Sequence, residues 1–237
     1  MQKGEFLYEG KAKRIYATDE AGVFWMEFKD DATAGNGQKR GTIGGKGRIN
    51  AEITQHVFER LARGGVRTHL LRQESPTVLL VRKLDMFKLE VVVRNIAAGS
   101  LVKRIGLKEG IDLPQPIVEL YLKDDALGDP LLNDDHVIAL GLATEREMVE
   151  IKAAARKIND LLRAYFRTAG LLLVDFKLEF GKEDGQIVLG DEVTPDTCRF
   201  WDEKTREKLD KDRFRQDLGG VEEAYQEVLR RVVAQNA

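Results

Sequence analysis

Residues 171–181, with the sequence LLLVDFKLEFG, constrain the fold more strongly than any other part of the chain. From Val174 onward apolar and charged residues alternate strictly, which predicts a β-strand. Asp175, Lys177 and Glu179 should then share one face, while the apolar residues from Val174 onward face the core. A solvated sheet face is the simplest explanation for three charged residues on alternate positions. The strand therefore becomes a candidate site only together with other features of the sequence.

A second pair of acids follows this strand. After a turn at residues 181–185 the chain should return as a β-hairpin, which brings Asp191 and Glu192 back toward the charged face. So irregular a turn leaves the register open, and Asp191 could lie several residues along from Glu179. Magnesium prefers one or two carboxylates plus water and phosphate oxygens, so Glu179 and Asp191 are candidate Mg²⁺ ligands. Two unrelated surface acids are the alternative.

Two segments near the start of the chain have the composition of phosphate-binding loops. In the sequence Gly10-Lys11-Ala12-Lys13 the two lysines should point the same way, and their charges repel unless an anion lies between them. A polyphosphate is one such anion, and an ordinary basic surface turn is the alternative. Residues 30–47 contain six glycines, which indicates a mobile lid, an anion-binding backbone cradle or a flexible connector.

Basic residues also cluster in two later segments. Glu90 and Arg94 are four residues apart on a predicted strand and should face the same side. Ser100 follows, where it could cap a short helix whose amides face a phosphate. The other cluster is residues 194–199. A salt bridge and a plain helix cap are the alternatives, and Lys123 at the end of a strand is similarly ambiguous.

The hydrophobic periodicity predicts an α+β protein with two lobes. A β-rich N-terminal lobe should span residues 1–83 and an α+β lobe residues 84–237, joined near residues 83–85. The clearest helix should start at Thr144, where Glu147 completes a capping box, and end at Gly170. Further helices are expected at about 48–63 and 221–233. Strands are expected at 5–9, 14–18, 23–28, 67–73, 77–82, 89–94, 117–123, 171–180 and 186–189.

Composition excludes several classes of protein. The chain has 38 Lys and Arg against 40 Asp and Glu, and this near-neutral balance argues against a general nucleic-acid binder. Cys198 is the single cysteine, so an internal disulfide is impossible. Uncharged runs are too short for a transmembrane helix, which predicts a protein without a membrane partner. The first residues do not resemble a signal peptide, so a cytoplasmic location is expected.

Several of these motifs, in this order, resemble one enzyme family. The matching segments are Gly10-Lys11-Ala12-Lys13, Lys83-Leu84-Asp85-Met86, residues 90–95 and 99–102, residues 174–181, Gly190-Asp191-Glu192 with Pro195-Asp196, and Asp210-Lys211-Asp212. They are similar to the phosphoribosylaminoimidazole-succinocarboxamide synthases, or SAICAR synthetases, over nearly the whole chain. Several ordered motifs together are far more specific than any one of them.

The resemblance implies a two-lobed SAICAR synthase-like fold, related to protein kinases and ATP-grasp enzymes, and a homodimer. It implies an ATP-dependent ligase of purine biosynthesis that condenses carboxyaminoimidazole ribotide with L-aspartate through an acyl phosphate and releases ADP and phosphate. A small-molecule kinase and a non-catalytic nucleotide sensor are the alternative functions.

The resemblance also implies roles for individual residues. It places ATP against Gly10, Lys11, Ala12, Lys13, Lys83, Leu84, Met86 and Lys123, and Mg²⁺ on Glu179 and Asp191. With Lys177, those two acids form the expected catalytic group. The ribotide is expected to contact Glu90, Arg94, Ser100, Asp175, Asp196 and Arg199. Asn36 departs from the family, which often has an acidic residue at that turn. Asn36 can accept a hydrogen bond but brings no charge.

Overall fold

The computed structural model describes residues 1–35 and 37–235, so Asn36 lies outside the described residues. In chain order the elements are β1 (Lys3–Glu9), β2 (Lys13–Thr18), β3 (Val23–Phe28), β4 (Asp31–Ala34), β5 (Lys39–Thr42), α1 (Lys46–Arg63), β6 (Leu70–Ser75), β7 (Val78–Arg82), β8 (Asp85–Met86), β9 (Leu89–Ile96), α2 (Gly99–Ile105), β10 (Asp112–Leu122), β11 (Leu131–Leu132), α3 (Asp134–Ala139), α4 (Glu145–Thr168), β12 (Leu171–Leu178), β13 (Phe180–Glu183), β14 (Gln186–Leu189), β15 (Cys198–Asp202), α5 (Asp212–Arg215) and α6 (Val221–Val233).

Two antiparallel sheets dominate the molecule. The first has the strand order β1-β2-β3-β7-β6 and is built entirely from residues before position 83. The second has the order β11-β10-β9-β12-β15, and a smaller sheet has the order β14-β13-β8. The α+β class and the β-rich start of the chain are therefore confirmed.

Three long helices pack against these sheets. The apolar stripe of α1, formed by Ile49, Ile53, Val57 and Leu61, is fully buried. Helix α4 begins at the expected capping box, in which the Thr144 hydroxyl accepts a hydrogen bond from the Glu147 amide at 3.2 Å. Because α1 shares one core with α4, α6 and the second sheet, the proposed division at residue 83 separates the sheets but not the hydrophobic core.

The strand at 171–178 departs from strict alternation. Its pairing with β15 shifts register between Leu173 and Asp175, so Val174 is the extra residue of a β-bulge. Val174 consequently packs in a small cluster with Trp201, whereas Phe176 lies in the main core. The expectation that Val174 and Phe176 share a face was wrong. Periodicity could not reveal the bulge because both residues are apolar and buried.

The following hairpin is tighter than the sequence suggested. β13 and β14 are joined by Asp184 and Gly185, which have φ angles of 50° and 74°, as a two-residue hairpin turn requires. Phe180 pairs with Leu189, and the Gly190 amide donates to the Glu179 carbonyl at 2.9 Å. Asp191 is therefore adjacent to the residue opposite Glu179, and the expected separation of several residues was wrong.

Among the described residues, no helix has both the length and the apolar content needed to cross a bilayer.

Candidate active site

A cleft of about 570 Å³ separates the first sheet from the second half of the chain. One wall is apolar and comes from the inner side of the first sheet, with Leu84 and Met86 at the connection between the halves. The opposite end is charged. The predicted residues that line it are Gly10, Lys11, Ala12, Lys13, Leu84, Met86, Glu90, Lys123, Lys177, Glu179 and Asp191.

Lys83 is the exception among the residues expected to contact a nucleotide. Its neighbours Arg82 and Leu84 line the cleft, but Lys83 is not among the described residues that do so. Its backbone amide donates to the Gly22 carbonyl at 2.8 Å. Lys83 is exposed, and Leu84 is the next residue along that lines the cleft.

The turn between β1 and β2 separates its two lysines. The Gly10 amide donates to the Lys13 carbonyl at 2.8 Å and closes the turn. Lys11 is half exposed and pairs with Asp125 at 2.6 Å. Lys13 is buried between two acids: it pairs with Asp191 and donates to Glu192 Oε1 at 2.8 Å.

The charged residues of β12 converge with the end of the hairpin. Lys177 contacts Glu179, Asp191 at 3.1 Å and Glu90 at 3.4 Å. Lys123 pairs with the other oxygen of Glu179. The predicted catalytic group of Lys177, Glu179 and Asp191 is therefore brought together at one end of the cleft.

The protonation of this group follows from its cations. Burial alone raises the pKa of Asp191, but the charges of Lys13 and Lys177 outweigh burial and hold that pKa well below its usual range. Burial works against the charge of Lys177 as well, yet Asp191 and Glu179 raise its pKa well above the ordinary value. An ionised Asp191 beside the carboxylate of Glu179 offers the hard oxygen donors that Mg²⁺ prefers, so the residues present fit that ion.

A second charged cluster lies further along β9 and β12, the strands that carry Glu90 and Lys177. Arg94 donates to Glu119 at 2.6 Å, to Asp175 at 2.8 Å and to the Ser100 hydroxyl at 3.0 Å. Arg199 also donates to Asp175, at 2.9 Å. Because Asp175 lies two residues before Lys177 on β12, this arginine cluster begins about 7 Å along the strand from Lys177.

Ser100 does not cap α2, so the expectation of a serine cap was wrong. The helix begins at Gly99 with Ala98 as its N-cap and without a side-chain cap, which places Ser100 inside the first turn. Gly99 has a φ of 57°, and a Cβ there would lie 2.5 Å from an Arg199 guanidinium nitrogen. Glycine is therefore what lets Arg199 lie flat against the start of α2.

Asp196 lies in a third, buried cluster. One of its oxygens accepts from Lys46 at 2.6 Å and Asn50 at 3.0 Å, and the other from the Tyr225 hydroxyl at 2.8 Å. Lys211 lies 3.4 Å from Asp196. These contacts tie α1 to α6, and Asp196 has little capacity left for a ligand in this arrangement.

The family comparison joins these clusters to a known group of enzymes. The family described as SAICAR synthetase matches residues 6–232. The chain belongs to the SAICAR synthetase family. The phosphoribosylaminoimidazole-succinocarboxamide synthases of Desulfitobacterium hafniense strain Y51 and Chloroherpeton thalassium are 59% and 57% identical to it. The alignments cover 98% of this chain, and 98% and 99% of those proteins.

Solved SAICAR synthetases have the same architecture. A structure described as SAICAR synthetase (Type-2) in complex with ADP superposes with a TM-score of 0.94 at 50% identity, covering 97% of this chain and 98% of that one. The enzyme of Ehrlichia chaffeensis gives a TM-score of 0.95 at 40% identity, covering 97% and 99%. The expected family and fold are confirmed.

The cleft and the arginine cluster also include residues to which the sequence analysis assigned no role. Tyr8 and His69 line the cleft, and Glu119 and Asp212 hold the two arginines. His69 lies 3.2 Å from the Asp191 carbonyl, and burial lowers its pKa to about 4. Strand alternation could have placed Tyr8 on a face, but only the fold brings His69 to the hairpin.

Proposed function

We propose that this chain catalyses the ATP-dependent condensation of carboxyaminoimidazole ribotide with L-aspartate, giving SAICAR, ADP and phosphate in purine biosynthesis. Its membership of the SAICAR synthetase family supports this activity. The structural observation that carries the proposal is the convergence of Lys13, Lys177, Glu179 and Asp191 at the charged end of a cleft whose other wall is apolar.

We assign the nucleotide to this cleft. Leu84 and Met86 lie on the apolar side, where a flat adenine ring can pack. Lys11, Lys13 and Lys123 lie at the charged end and supply the positive charge that phosphates require. The ADP bound in the related Type-2 structure supports a nucleotide site in this fold. Gly10 and Ala12 complete the turn, and Lys83 contributes through its position in the connection.

The ribotide is assigned to the neighbouring arginine cluster. The guanidinium group of arginine can donate two parallel hydrogen bonds to phosphate oxygens. Arg94 and Arg199 both donate to Asp175, beside the Ser100 hydroxyl. Glu90 and Lys177 lie between this cluster and the nucleotide, where the ribotide carboxylate must reach the γ-phosphate. Asp196 holds the adjoining segment.

The reaction must overcome the low reactivity of a carboxylate. A ribotide carboxylate oxygen attacks the γ-phosphorus, and ADP leaves. The neutral amine of aspartate then attacks the acyl carbon and releases one proton, and phosphate leaves with that carboxylate oxygen. Both reactants of the first step are anionic, so Lys13, Lys177 and Lys123 must position them and offset their repulsion.

We propose that Mg²⁺ binds in this site together with ATP. Glu179 and Asp191 are the residues that would hold it, and when bound it supplies positive charge to phosphate oxygens. The lysines around both carboxylates show that this end of the cleft is built to balance charge.

Coupled measurement of ADP release, with each substrate omitted in turn, tests the proposal. We expect ADP release only when ATP, ribotide and aspartate are all present. A stable phosphorylated product formed without aspartate would indicate a small-molecule kinase. Nucleotide binding without turnover under any condition would indicate a sensor, and either result would contradict the ligase.

We further propose that the enzyme is a homodimer. Light scattering coupled to gel filtration should give twice the mass of one chain, and the mass of a single chain would contradict it.

A further inference from the structure

Glu192 lies next to the proposed metal ligand Asp191 and lines the same cleft, but its side chain is almost fully buried. Only 3% of that side chain is exposed. One carboxylate oxygen accepts from Lys13 at 2.8 Å, and the other accepts from the Thr194 hydroxyl at 2.9 Å. Both oxygens therefore have hydrogen-bond partners within the protein.

Thr194 is itself fixed by its surroundings. It is fully buried, and its hydroxyl oxygen accepts the Asp196 amide at 3.1 Å. Because that oxygen serves as an acceptor, its single hydrogen is free to be donated to Glu192. The turn that contains Thr194 is closed by the Cys198 amide, which donates to the Thr194 carbonyl at 2.8 Å. The threonine thus gives Glu192 one orientation.

Lys13 needs such a fixed partner. A lysine side chain loses considerable rotamer freedom when its ammonium is held in one place. Asp191, its other acid, also contacts Lys177, so its charge is shared between two cations. The Glu192 carboxylate pairs with Lys13 through one oxygen, and its other oxygen accepts from a neutral hydroxyl and not from a second cation.

We propose that Glu192, oriented by the Thr194 hydroxyl, is a positioning residue that holds the Lys13 ammonium at the phosphate end of the cleft. The inference rests on the proposed function, in which Lys13 contacts ATP phosphates. It predicts a specific defect toward the nucleotide, because Glu192 acts through Lys13 and not through the ribotide cluster.

The sharpest test changes Thr194, since valine has nearly the same shape but no hydroxyl. Thr194→Val should raise the KM for ATP and the Kd for ADP about fivefold, because Glu192 loses one of the two hydrogen bonds that orient it. The KM for ribotide and aspartate should stay within about twofold of wild type. Thr194→Ser, which restores the hydroxyl, should recover ATP binding to within about twofold.

A matched control separates this effect from loss of a buried hydroxyl in general. Thr54 is also fully buried, and its hydroxyl has no hydrogen-bond partner among the described residues. Thr54→Val should leave all three KM values and the ADP affinity at wild-type levels. Equal ATP defects in the Thr54 and Thr194 variants would overturn the inference.

Glu192→Gln tests the charge directly. The amide keeps the size of the side chain but removes the negative charge from Lys13, so the KM for ATP should rise about tenfold or more. Should this variant fail to fold, the valine and serine variants at Thr194 decide the question.

An inactive wild-type enzyme would contradict the proposed function. An active wild type whose Thr194→Val variant binds ATP and ADP normally would contradict only the role of Glu192. A Thr194→Val variant in which all three KM values rise together, and which serine does not rescue, would likewise refute positioning.

Discussion

At the scale of single residues, Glu179 and Asp191 show how three lysines balance the charge of two carboxylates inside a cleft. Lys123, Lys177 and Lys13 each contact at least one of them. Unpaired, these buried acids would be costly, since burial penalises their charged form. The lysines offset that cost while leaving positive charge next to the place where phosphates are expected.

Removing either carboxylate charge should abolish most of the activity. Glu179→Gln and Asp191→Asn should each lower kcat by at least about a hundredfold, because the charge that organises the site is lost. Asp184→Asn is the matched control: Asp184 also has a positive φ, of 50° against 56° for Asp191, but it is exposed at the hairpin turn. Steady-state ADP release and circular dichroism measure activity and folding. Wild-type turnover in either cleft variant would refute the assignment.

His69 makes a separate prediction about stability. Burial holds its pKa at about 4, against 6.5 for an ordinary histidine, so it is neutral in the folded protein. Between pH 4 and pH 6.5 His69 binds a proton in the unfolded chain but not in the folded protein. The contribution of His69 to the free energy of unfolding is therefore complete above pH 6.5 and is lost as the pH falls toward 4. The difference corresponds to about 3 kcal/mol.

Urea unfolding at a series of pH values measures this effect. His69→Gln should flatten the pH dependence between about 6.5 and 4 relative to wild type. An unchanged slope in the variant would show that another group dominates.

The residue types of the site were readable from the sequence, but their pairing was not. Spacing placed Glu90 and Arg94 on one side of a strand, which agrees with their contacts to Lys177 and Asp175. Ser100 was misassigned as a cap, because a serine before an apolar helix resembles one. Its true partner, Arg94, comes from the neighbouring strand.

At the scale of secondary-structure elements, the bulge in β12 and the tight β13–β14 turn align the site. The bulge resets the alternation at Val174, and the turn fixes Glu179 opposite Gly190. Neither device leaves a clear trace in hydrophobic periodicity. The long helices were predictable because their apolar stripes and the Thr144 capping box are local features.

The start of α2 gives a prediction at this scale. Gly99→Ala should raise the KM for ribotide about tenfold or more, because its Cβ would lie 2.5 Å from the Arg199 guanidinium and displace it. Gly185→Ala is the control: Gly185 also has a positive φ, of 74°, but a Cβ there meets nothing within 4 Å.

Both glycine variants should lose a similar amount of stability, about 1 kcal/mol from the left-handed backbone. Thermal unfolding and ribotide kinetics of the two proteins separate backbone strain from the clash. Equal ribotide KM values in the two variants would contradict the placement of Arg199.

At the scale of the whole molecule, two sheets carry different halves of the proposed chemistry. The first sheet supplies the apolar wall and the Gly10–Lys13 turn. The second sheet supplies the arginines, and the β13–β14 hairpin that follows β12 is flanked by the acids Glu179 and Asp191. The sequence predicted this distribution because motifs for phosphate and metal binding occur in separate segments. It could not predict that α1 joins the second half in one core, which depends on long-range packing with α4 and α6.

Oxygen tracing tests the acyl phosphate and the ligase reaction together. With ¹⁸O in the ribotide carboxylate, complete turnover with ATP and aspartate should transfer one labelled oxygen into each phosphate released. Mass spectrometry of the phosphate detects this transfer. Phosphate formed in step with SAICAR but without the label would contradict attack of the carboxylate on ATP, and with it the account of this cleft.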